Sequence, residues 1–285
     1  MLPRFELLKP ATLEEALAML AETPTAQPLA GGTNLIVDMR SGKLRPATLV
    51  DLSRLQELCC IREKDGRLLI GGGVTIAELL DDPMVEQHAP ILRLMARSFA
   101  NTLIRNRATV GGNLVNAAPC SDTAPALLVL DAEVELASKD GARRMPLDEF
   151  LVGAFETMRE PNELLTCVHV PILPEGARLA FEKMGLRKIS CMAKVDVAVR
   201  VDLDDRERIT NARIAVGAAS AVALRVPKAE EALAGQALTD LVIEEASTLA
   251  AAAAEPRSGS EYKRQVVRGM TRRLLSSLSE EVESG

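Results

Sequence analysis

Two short segments of the sequence place paired glycines next to small polar side chains. One is Ala30-Gly31-Gly32-Thr33-Asn34 and the other is Thr109-Val110-Gly111-Gly112-Asn113. Because glycine has no Cβ, such a turn lets successive backbone amides approach a diphosphate closely, while threonine and asparagine add donors without bulk. Either segment alone predicts only a tight turn, but the pair predicts a site that holds one diphosphate from two sides.

The common phosphate-binding motifs are absent from the sequence. Neither turn has the GxGxxG spacing of a Rossmann unit or the GxxxxGK[ST] spacing of a P-loop. A third glycine run, 71–73, comes just before Thr75-Ile76-Ala77-Glu78, which is a capping box for a short helix. We therefore predict that this third run is structural.

The composition excludes several other chemistries. The chain has 285 residues, a net charge of −6, no Trp, one Tyr and two His. Proteins that bind nucleic acid use basic surfaces and often aromatic platforms, so nucleic acid is not an expected partner. His88 lies in a charged stretch and His169 alternates with two valines. Both histidines are predicted to face solvent rather than to act in catalysis.

The cysteines do not form a metal-binding pattern. No pair of the five shows the CxxC spacing that is usual for zinc or iron–sulfur ligation, and an odd number suits a reducing compartment. The sequence also lacks an apolar run of the roughly 18 residues that a membrane span needs, and it lacks a signal-peptide pattern. We therefore expect a cytoplasmic protein that holds no metal of its own.

Periodicity and capping signals divide the chain near residue 172. Helices and strands are mixed before this point, and antiparallel strands followed by helices come after it. The stretches 195–202 and 212–216 alternate apolar and polar residues, which predicts strands with one face in solvent. Helices are predicted at 12–22, 35–40, 75–82, 86–99, 228–233, 241–254 and 262–278. Strands are predicted at 28–30, 48–52, 67–70, 133–138, 164–170, 178–184, 195–203 and 212–218.

Four ordered segments together resemble one family, the FAD-binding medium subunits of the molybdenum hydroxylases, which include xanthine dehydrogenase and carbon monoxide dehydrogenase. These segments are 29–35 (LAGGTNL), 104–113 (IRNRATVGGN), 118–128 (APCSDTAPALL) and 257–264 (RSGSEYKR). The resemblance covers nearly the whole chain. It implies an α+β fold with a two-part FAD-binding domain, of the PCMH type and similar to vanillyl-alcohol oxidase, at 1–172 (subdomains about 1–55 and 56–172). A smaller α+β domain with an antiparallel sheet and helices would follow at 176–285.

The resemblance also implies which residues bind a non-covalent FAD. The first glycine turn would wrap the pyrophosphate and ribityl chain, the second would form the other half of the clasp, and Asp122 would meet the adenosine end. Three more residues would flank the adenine or flavin, and the loop 184–194, which includes Lys188, would lie near the flavin. The implied cofactor-binding residues are Ala30, Gly31, Gly32, Thr33, Asn34, Leu35, Phe99, Thr109, Gly111, Gly112, Asn113, Val115, Asp122, Leu165 and Lys183.

Simpler roles stay open for several of these residues. Asp122 could cap the helix that follows it, Leu165 could be ordinary core, and Lys183 could be a solvated strand lysine. Arg105 and Arg107 are read as a surface or interface pair.

The resemblance implies an oxidoreductase subunit with no catalytic residue of its own. It would take electrons from [2Fe–2S] clusters on a small partner subunit and pass them to an external acceptor, while molybdopterin sits on a large partner subunit. A dimer of heterotrimers is the expected assembly. Two alternatives stay open: a free-standing FAD-dependent oxidoreductase, and a non-enzymatic nucleotide-binding or assembly protein.

Overall fold

The computed structural model describes residues 2–187, 191–256 and 259–283. Residues 188–190 of the predicted loop 184–194, and Arg257 and Ser258 of the segment 257–264, lie outside these ranges. No helix in the described ranges is both long and apolar enough to cross a membrane.

The chain begins with a small parallel sheet in the strand order β1-β3-β2. The Thr12 hydroxyl accepts the Glu15 amide and starts the first helix, as the sequence predicts. The second helix begins directly after the first glycine turn and ends at Gly42, whose φ is +79°. The elements are β1 (Glu6–Leu8), α1 (Leu13–Glu22), β2 (Gln27–Leu29), α2 (Leu35–Ser41) and β3 (Thr48–Asp51).

A five-stranded antiparallel sheet, β4-β5-β10-β6-β7, follows a short 3-10 turn at Gln56–Leu58. Between its second and third strands along the chain, six helices cross over and cover the core. The elements are β4 (Ile61–Lys64), β5 (Arg67–Gly71), α3 (Ile76–Asp81), α4 (Pro83–His88), α5 (Pro90–Ser98), α6 (Thr102–Arg105), α7 (Val110–Asn116), α8 (Thr123–Leu128), β6 (Glu133–Ser138), β7 (Gly141–Pro146), α9 (Leu147–Phe150), β8 (Leu151–Gly153), β9 (Glu156–Thr157) and β10 (Leu164–Pro171).

The single helix predicted over 86–99 is wrong, because two helices occupy this stretch. Ala89, with φ −147° and ψ 54°, separates α4 from α5. Pro90 disfavours helical geometry in the residue before it and then begins the next helix itself. Asp82 caps α4 by accepting the amides of Met84 and Val85.

The C-terminal part is a four-stranded antiparallel sheet covered by three helices. Its order is β11-β12-β13-β14. Valines on one face of β12, such as Val197 and Val199, pack into a core with the helices, while Ala198 on the other face joins the core of the N-terminal part. The elements are β11 (Arg178–Gly185), β12 (Ala193–Leu203), β13 (Ile209–Gly217), β14 (Leu224–Arg225), α10 (Pro227–Leu233), α11 (Asp240–Ala253) and α12 (Ser260–Glu283).

Two predictions of solvent exposure are wrong for the same reason. The strand β12 is buried on both faces from Val195 to Asp202, because its polar face packs against the N-terminal part. His169 is only 5% exposed, and its Nε2 lies 3.1 Å from the Glu135 carboxylate. Burial lowers the pKa of His169. In both places an alternating polar residue faces other side chains rather than water.

Candidate functional site

The first glycine turn connects β2 to α2 and presents an open row of amides. A Cβ on Gly31 would lie 1.7 Å from the Arg107 carbonyl oxygen, so only glycine fits there, and Gly32 has a φ of +71°. Within the described residues, the backbone amides from Gly31 to Leu35 donate no hydrogen bond. Successive unpaired amides in such a turn form a concave site for an anion.

The second glycine turn has the opposite character, because its amides are already used. Gly111 donates to the Gly72 carbonyl at 2.9 Å, Gly112 donates to the Thr109 hydroxyl at 3.1 Å, and Asn113 donates to the Thr109 carbonyl at 2.9 Å. A Cβ on Gly112 would lie 4.0 Å from the Ala30 Cβ, so the two turns are adjacent. Of the two turns, only the first therefore has backbone amides that are free to bind a ligand, and its contact with a diphosphate stays a prediction.

The third glycine run is structural, as predicted, but it supports the second turn. A Cβ on Gly72 would lie 2.1 Å from the Leu165 carbonyl oxygen, so the backbones of β10 and this loop are in close contact. Leu165 itself is 6% exposed and belongs to the core. The capping box of α3 is present as well, formed by Thr75 and Glu78.

The side chain of Asn113 ties the second turn to the segment before α8. Its Oδ1 accepts from the Ser121 hydroxyl at 2.5 Å and from the Thr123 hydroxyl. Its amide nitrogen, Nδ2, donates no hydrogen bond within the described part of the chain and is available to a ligand. Val115, half-buried on the same helix, packs against the core.

Asp122 does not cap α8, so that alternative is wrong. Its backbone is helical and its side chain makes no capping hydrogen bond. It accepts instead from the Lys183 ammonium at 2.5 Å, and Lys183 also donates to the Ser98 carbonyl at 3.3 Å. The side chains of Asp122 and Lys183 are 6% and 4% exposed, so Lys183 is not a solvated lysine. This contact brings β11 against Phe99, the residue after Ser98.

A third buried ionisable group, Asp196, was not predicted from the sequence. It is 0% exposed and lies opposite Lys183 in the pairing of β11 with β12. Burial and the charge of Asp122 raise its pKa well above the ordinary value, and burial also raises the pKa of Asp122 against the opposing effect of Lys183. We call Asp122, Lys183 and Asp196 the lysine cluster. In the sequence, Asp196 looked like one more solvent-facing residue of an alternating strand.

A second ion cluster, the arginine cluster, lies farther along the same strands. Asp131, just after α8, accepts from Arg213 at 2.8 Å, from Arg225 at 3.0 Å and from Arg200 at 3.4 Å. These arginines belong to β13, β14 and β12 of the C-terminal sheet. Like the lysine cluster, the arginine cluster joins the two parts of the chain.

The arginines near the second turn have separate environments. Arg105 donates to the Phe99 carbonyl at 3.0 Å and holds the backbone beside Lys183. Arg107 is exposed, and its carbonyl group packs on Gly31. No three His, Cys, Asp or Glu side chains of the described ranges come together as a metal-binding group.

The fold agrees with the comparisons to known proteins. Residues 3–173 match the family described as the FAD binding domain in molybdopterin dehydrogenase, and residues 180–278 match the C-terminal domain of CO dehydrogenase flavoproteins. The chain therefore belongs to the family of FAD-binding subunits of the molybdopterin-dependent dehydrogenases, and it is an oxidoreductase subunit.

The individual relatives cover almost the full length of the chain. A putative xanthine dehydrogenase FAD-binding subunit of Escherichia coli is 32% identical over 272 residues, which are 93% of each chain. The carbon monoxide dehydrogenase medium chain of Hydrogenophaga pseudoflava is 31% identical over 280 residues, covering 96% of this chain and 97% of that protein. The reconstituted CO dehydrogenase structure from Oligotropha carboxidovorans superimposes with a TM-score of 0.94 at 31% identity, covering 98% of this chain and 99% of that one.

Proposed function

We propose that this chain is the FAD-carrying electron-transfer subunit of a multi-subunit molybdenum hydroxylase. It would receive electrons from [2Fe–2S] clusters on a small partner subunit and pass them to an external acceptor. The observation that carries the proposal is the row of unpaired amides from Gly31 to Leu35 in a chain of this family. FAD, when bound, supplies the redox chemistry through its isoalloxazine ring, and the protein holds and orients it.

The first glycine turn fits the diphosphate of a non-covalently bound FAD. A diphosphate needs several donors within a short distance, and the amides of residues 31–35 have no other acceptor in the described chain. Ala30 lies against Gly112 of the second turn, so a ligand on the first turn also meets the second. There the free Nδ2 of Asn113 adds a side-chain donor, while Thr109 and Gly111 keep the turn rigid.

The remaining predicted residues would form the walls of the same site. Asp122 would accept hydrogen bonds from the adenosine ribose, since a carboxylate offers about four acceptor positions and Lys183 uses one of them. Lys183 has three ammonium hydrogens, of which two have acceptors in the described chain. Phe99 and Leu165 would contribute apolar contact to the rings, and Val115 would lie beside them.

The same family membership supports a proposal about the partners. The name medium chain, borne by the Hydrogenophaga relative, implies companion chains. We propose a small subunit with two [2Fe–2S] clusters and a large molybdopterin subunit, assembled as a dimer of heterotrimers in the cytoplasm. In this assembly residues 1–172 are the FAD-binding domain and residues 176–285 the C-terminal domain.

Flavin content tests the cofactor proposal directly. The purified chain should be yellow, or become so on reconstitution with FAD, with the visible absorption of a bound flavin. Gly32→Ala should weaken FAD binding at least tenfold, because a side chain at φ +71° distorts the amide row. Gly66→Ala is the matched control: its φ is +68° and no atom lies within 4 Å of the added Cβ.

Both variants place alanine at a positive φ, but only Gly32→Ala does so within the amide row. Equal FAD affinity in both would therefore contradict the proposal that the amide row binds FAD. A chain that stays colourless with added FAD would overturn the flavin proposal and favour a nucleotide-binding or assembly protein.

Assembly tests the partner proposal. Co-expression with candidate iron–sulfur and molybdopterin subunits should give one species on size-exclusion chromatography, and reduction of the flavin by substrate should require all three chains. A lone chain that turns over substrate at full rate would instead establish a free-standing flavin oxidoreductase.

A further inference from the structure

The carboxyl group of Asp196 is completely buried and has no hydrogen-bond donor among the described residues. Asp196 is 0% exposed, and neither of its side-chain oxygens receives a hydrogen bond from the described residues. An ionised carboxylate that is removed from water without donors is very unfavourable, so such a group takes up a proton instead. The setting of Asp196 therefore suits a neutral carboxylic acid.

The space for this carboxyl group depends on one glycine. Asp196 pairs with Gly217 across β12 and β13, and a Cβ on Gly217 would lie 2.1 Å from the Asp196 Oδ1. It would also lie 2.7 Å from the Pro125 side chain of α8. Any larger residue at position 217 would displace the carboxyl group, which is thus held in one place by the packing of three elements.

The charges around Asp196 do not balance without a proton. Among the described residues, the titratable groups that face it are Asp122 and Cys120 from the segment before α8 and Lys183 from β11. On its other sides, β13 contributes Gly217 and α8 contributes Pro125, neither of which is charged. Burial raises the pKa of the Cys120 thiol, so that group is neutral. One lysine therefore faces two carboxyl groups.

One shared proton would satisfy both carboxyl groups. The Oδ1 of Asp122 is also buried without a donor, while its Oδ2 accepts from Lys183. We propose that Asp122 and Asp196 share one proton, with Asp196 as the protonated member that donates a hydrogen bond to Asp122 Oδ1 and thereby positions Asp122 in the FAD site. The positioning role rests on the proposed function. The three groups then carry no net charge.

A shared proton makes both stability and FAD affinity depend on pH. A carboxyl group whose pKa is raised on folding stabilises the fold fully below about pH 4, which is its pKa in the unfolded chain. This stabilisation is lost as the pH rises through its pKa in the folded protein. The FAD diphosphate adds negative charge and excludes water, which favours the protonated form further. FAD affinity should therefore fall by up to about tenfold per pH unit above the pKa of the FAD-free protein.

Unfolding of the full chain without FAD tests the proton itself. Above about pH 4 the urea midpoint should change with pH with a more negative slope in the wild type than in Asp196→Asn, because an amide donates the same hydrogen bond without titrating. Glu182→Gln is the matched control on the neighbouring residue, in an exposed pair with Arg273, and should keep the wild-type slope. Equal slopes in wild type and Asp196→Asn would overturn the proposal.

An infrared measurement needs no variant. The wild type at pH 7 should show the carbonyl stretch of a protonated carboxyl group, which disappears on raising the pH and is missing in Asp196→Asn. Absence of this band at pH 7 in the folded wild type would also overturn the proposal.

FAD titration by flavin fluorescence between pH 6 and 10 tests the positioning role. Asp196→Asn should stay within about threefold of the wild type at pH 6 and lose the pH dependence, whereas Asp196→Ala, which cannot donate, should bind more weakly throughout. If Asp196→Asn follows the wild-type profile, the positioning role is wrong. If the wild type binds no FAD at any pH, the proposed function fails, and the unfolding and infrared results still decide the shared proton.

Discussion

The two ion clusters that join the C-terminal sheet to the N-terminal part are built from similar residues but differ in charge balance. In the arginine cluster, Asp131 meets three arginines, and two of these also pair with further carboxylates at 2.5 Å: Arg200 with Asp202 and Arg225 with Glu230. Three arginines thus face three carboxylates. In the lysine cluster, one lysine faces two carboxyl groups, and three carboxyl oxygens receive no hydrogen bond from the part of the chain that the structure describes.

This difference distinguishes a structural contact from a site that has hydrogen-bond acceptors left for a ligand or a proton. The arginine cluster is balanced and partly open to water, since the Asp131 side chain is 31% exposed. The lysine cluster is almost fully enclosed, yet its acceptors outnumber its donors. A native structure seldom leaves buried polar atoms unpaired, so the excess points to a proton and a ligand. We infer that the first cluster fixes the relative position of the two parts and the second serves the cofactor.

The largest expected effect comes from removing the only cation of the lysine cluster. Lys183→Met should lower the free energy of unfolding by about 3–5 kcal/mol, because it leaves buried carboxyl groups without a partner. The loss should grow as the pH rises, since the carboxyl groups become harder to keep protonated. Urea unfolding at two pH values measures both effects.

The control for this variant is Lys43→Met, whose lysine is 62% exposed and pairs with Asp38 at 3.4 Å. It should change the free energy of unfolding by less than about 1 kcal/mol. Similar losses in the two variants would mean that the lysine cluster is no more than a surface ion pair.

Filling the space beside Asp196 should have the next largest effect. Gly217→Ala should lower the free energy of unfolding by about 3 kcal/mol, since the new methyl group overlaps the Asp196 carboxyl group and Pro125. Thermal and urea unfolding measure it. Gly269→Ala on α12 is the control, because no atom lies within 4 Å of its added Cβ, and it should be neutral or slightly stabilising. An unchanged Gly217→Ala protein would show that the carboxyl group can move freely.

The arginine cluster should be less sensitive and should respond to salt. Asp131→Asn should lower the free energy of unfolding by about 2 kcal/mol, because charged hydrogen bonds to three arginines become weaker neutral ones. Salt screens partly exposed charges more than buried ones, so this loss should shrink at high ionic strength while that of Lys183→Met persists. Urea unfolding at low and high salt makes the comparison. Equal salt dependence in both variants would remove the distinction between the clusters.

Local sequence signals predicted much of the fold. The Thr12 hydroxyl cap and the capping box at Thr75 start helices where expected, and the strand 133–138 matches β6. These features depend on neighbouring residues, which the sequence displays directly. The break at Ala89 was missed because the apolar spacing of 86–99 continues across it, although Pro90 was the available signal.

The candidate site was predicted in part, for a physical reason. The glycine turns and Asp122 belong to contiguous motifs, and the structure brings them together with Lys183 of β11; their contact with FAD stays a prediction. The alternation in β12 gave Asp196 the same appearance as a solvent-facing residue. Only the packing of the sheet on α8 shows that its polar face is buried, and that contact joins residues far apart in the sequence.

The smallest expected change in the free energy of unfolding is that of Glu182→Gln, and the larger changes are compared with it. Glu182, the residue before Lys183, points to the opposite face of β11 and pairs with Arg273 at 2.6 Å, with the two side chains 34% and 63% exposed. Glu182→Gln should change the free energy of unfolding by less than about 1 kcal/mol, because the exposed pair gains little over its interactions with water. Urea unfolding beside Lys183→Met tests two adjacent residues that differ in burial. A loss for Glu182→Gln as large as that for Lys183→Met would mean that contact between β11 and α12, rather than burial of charge, determines stability along this strand.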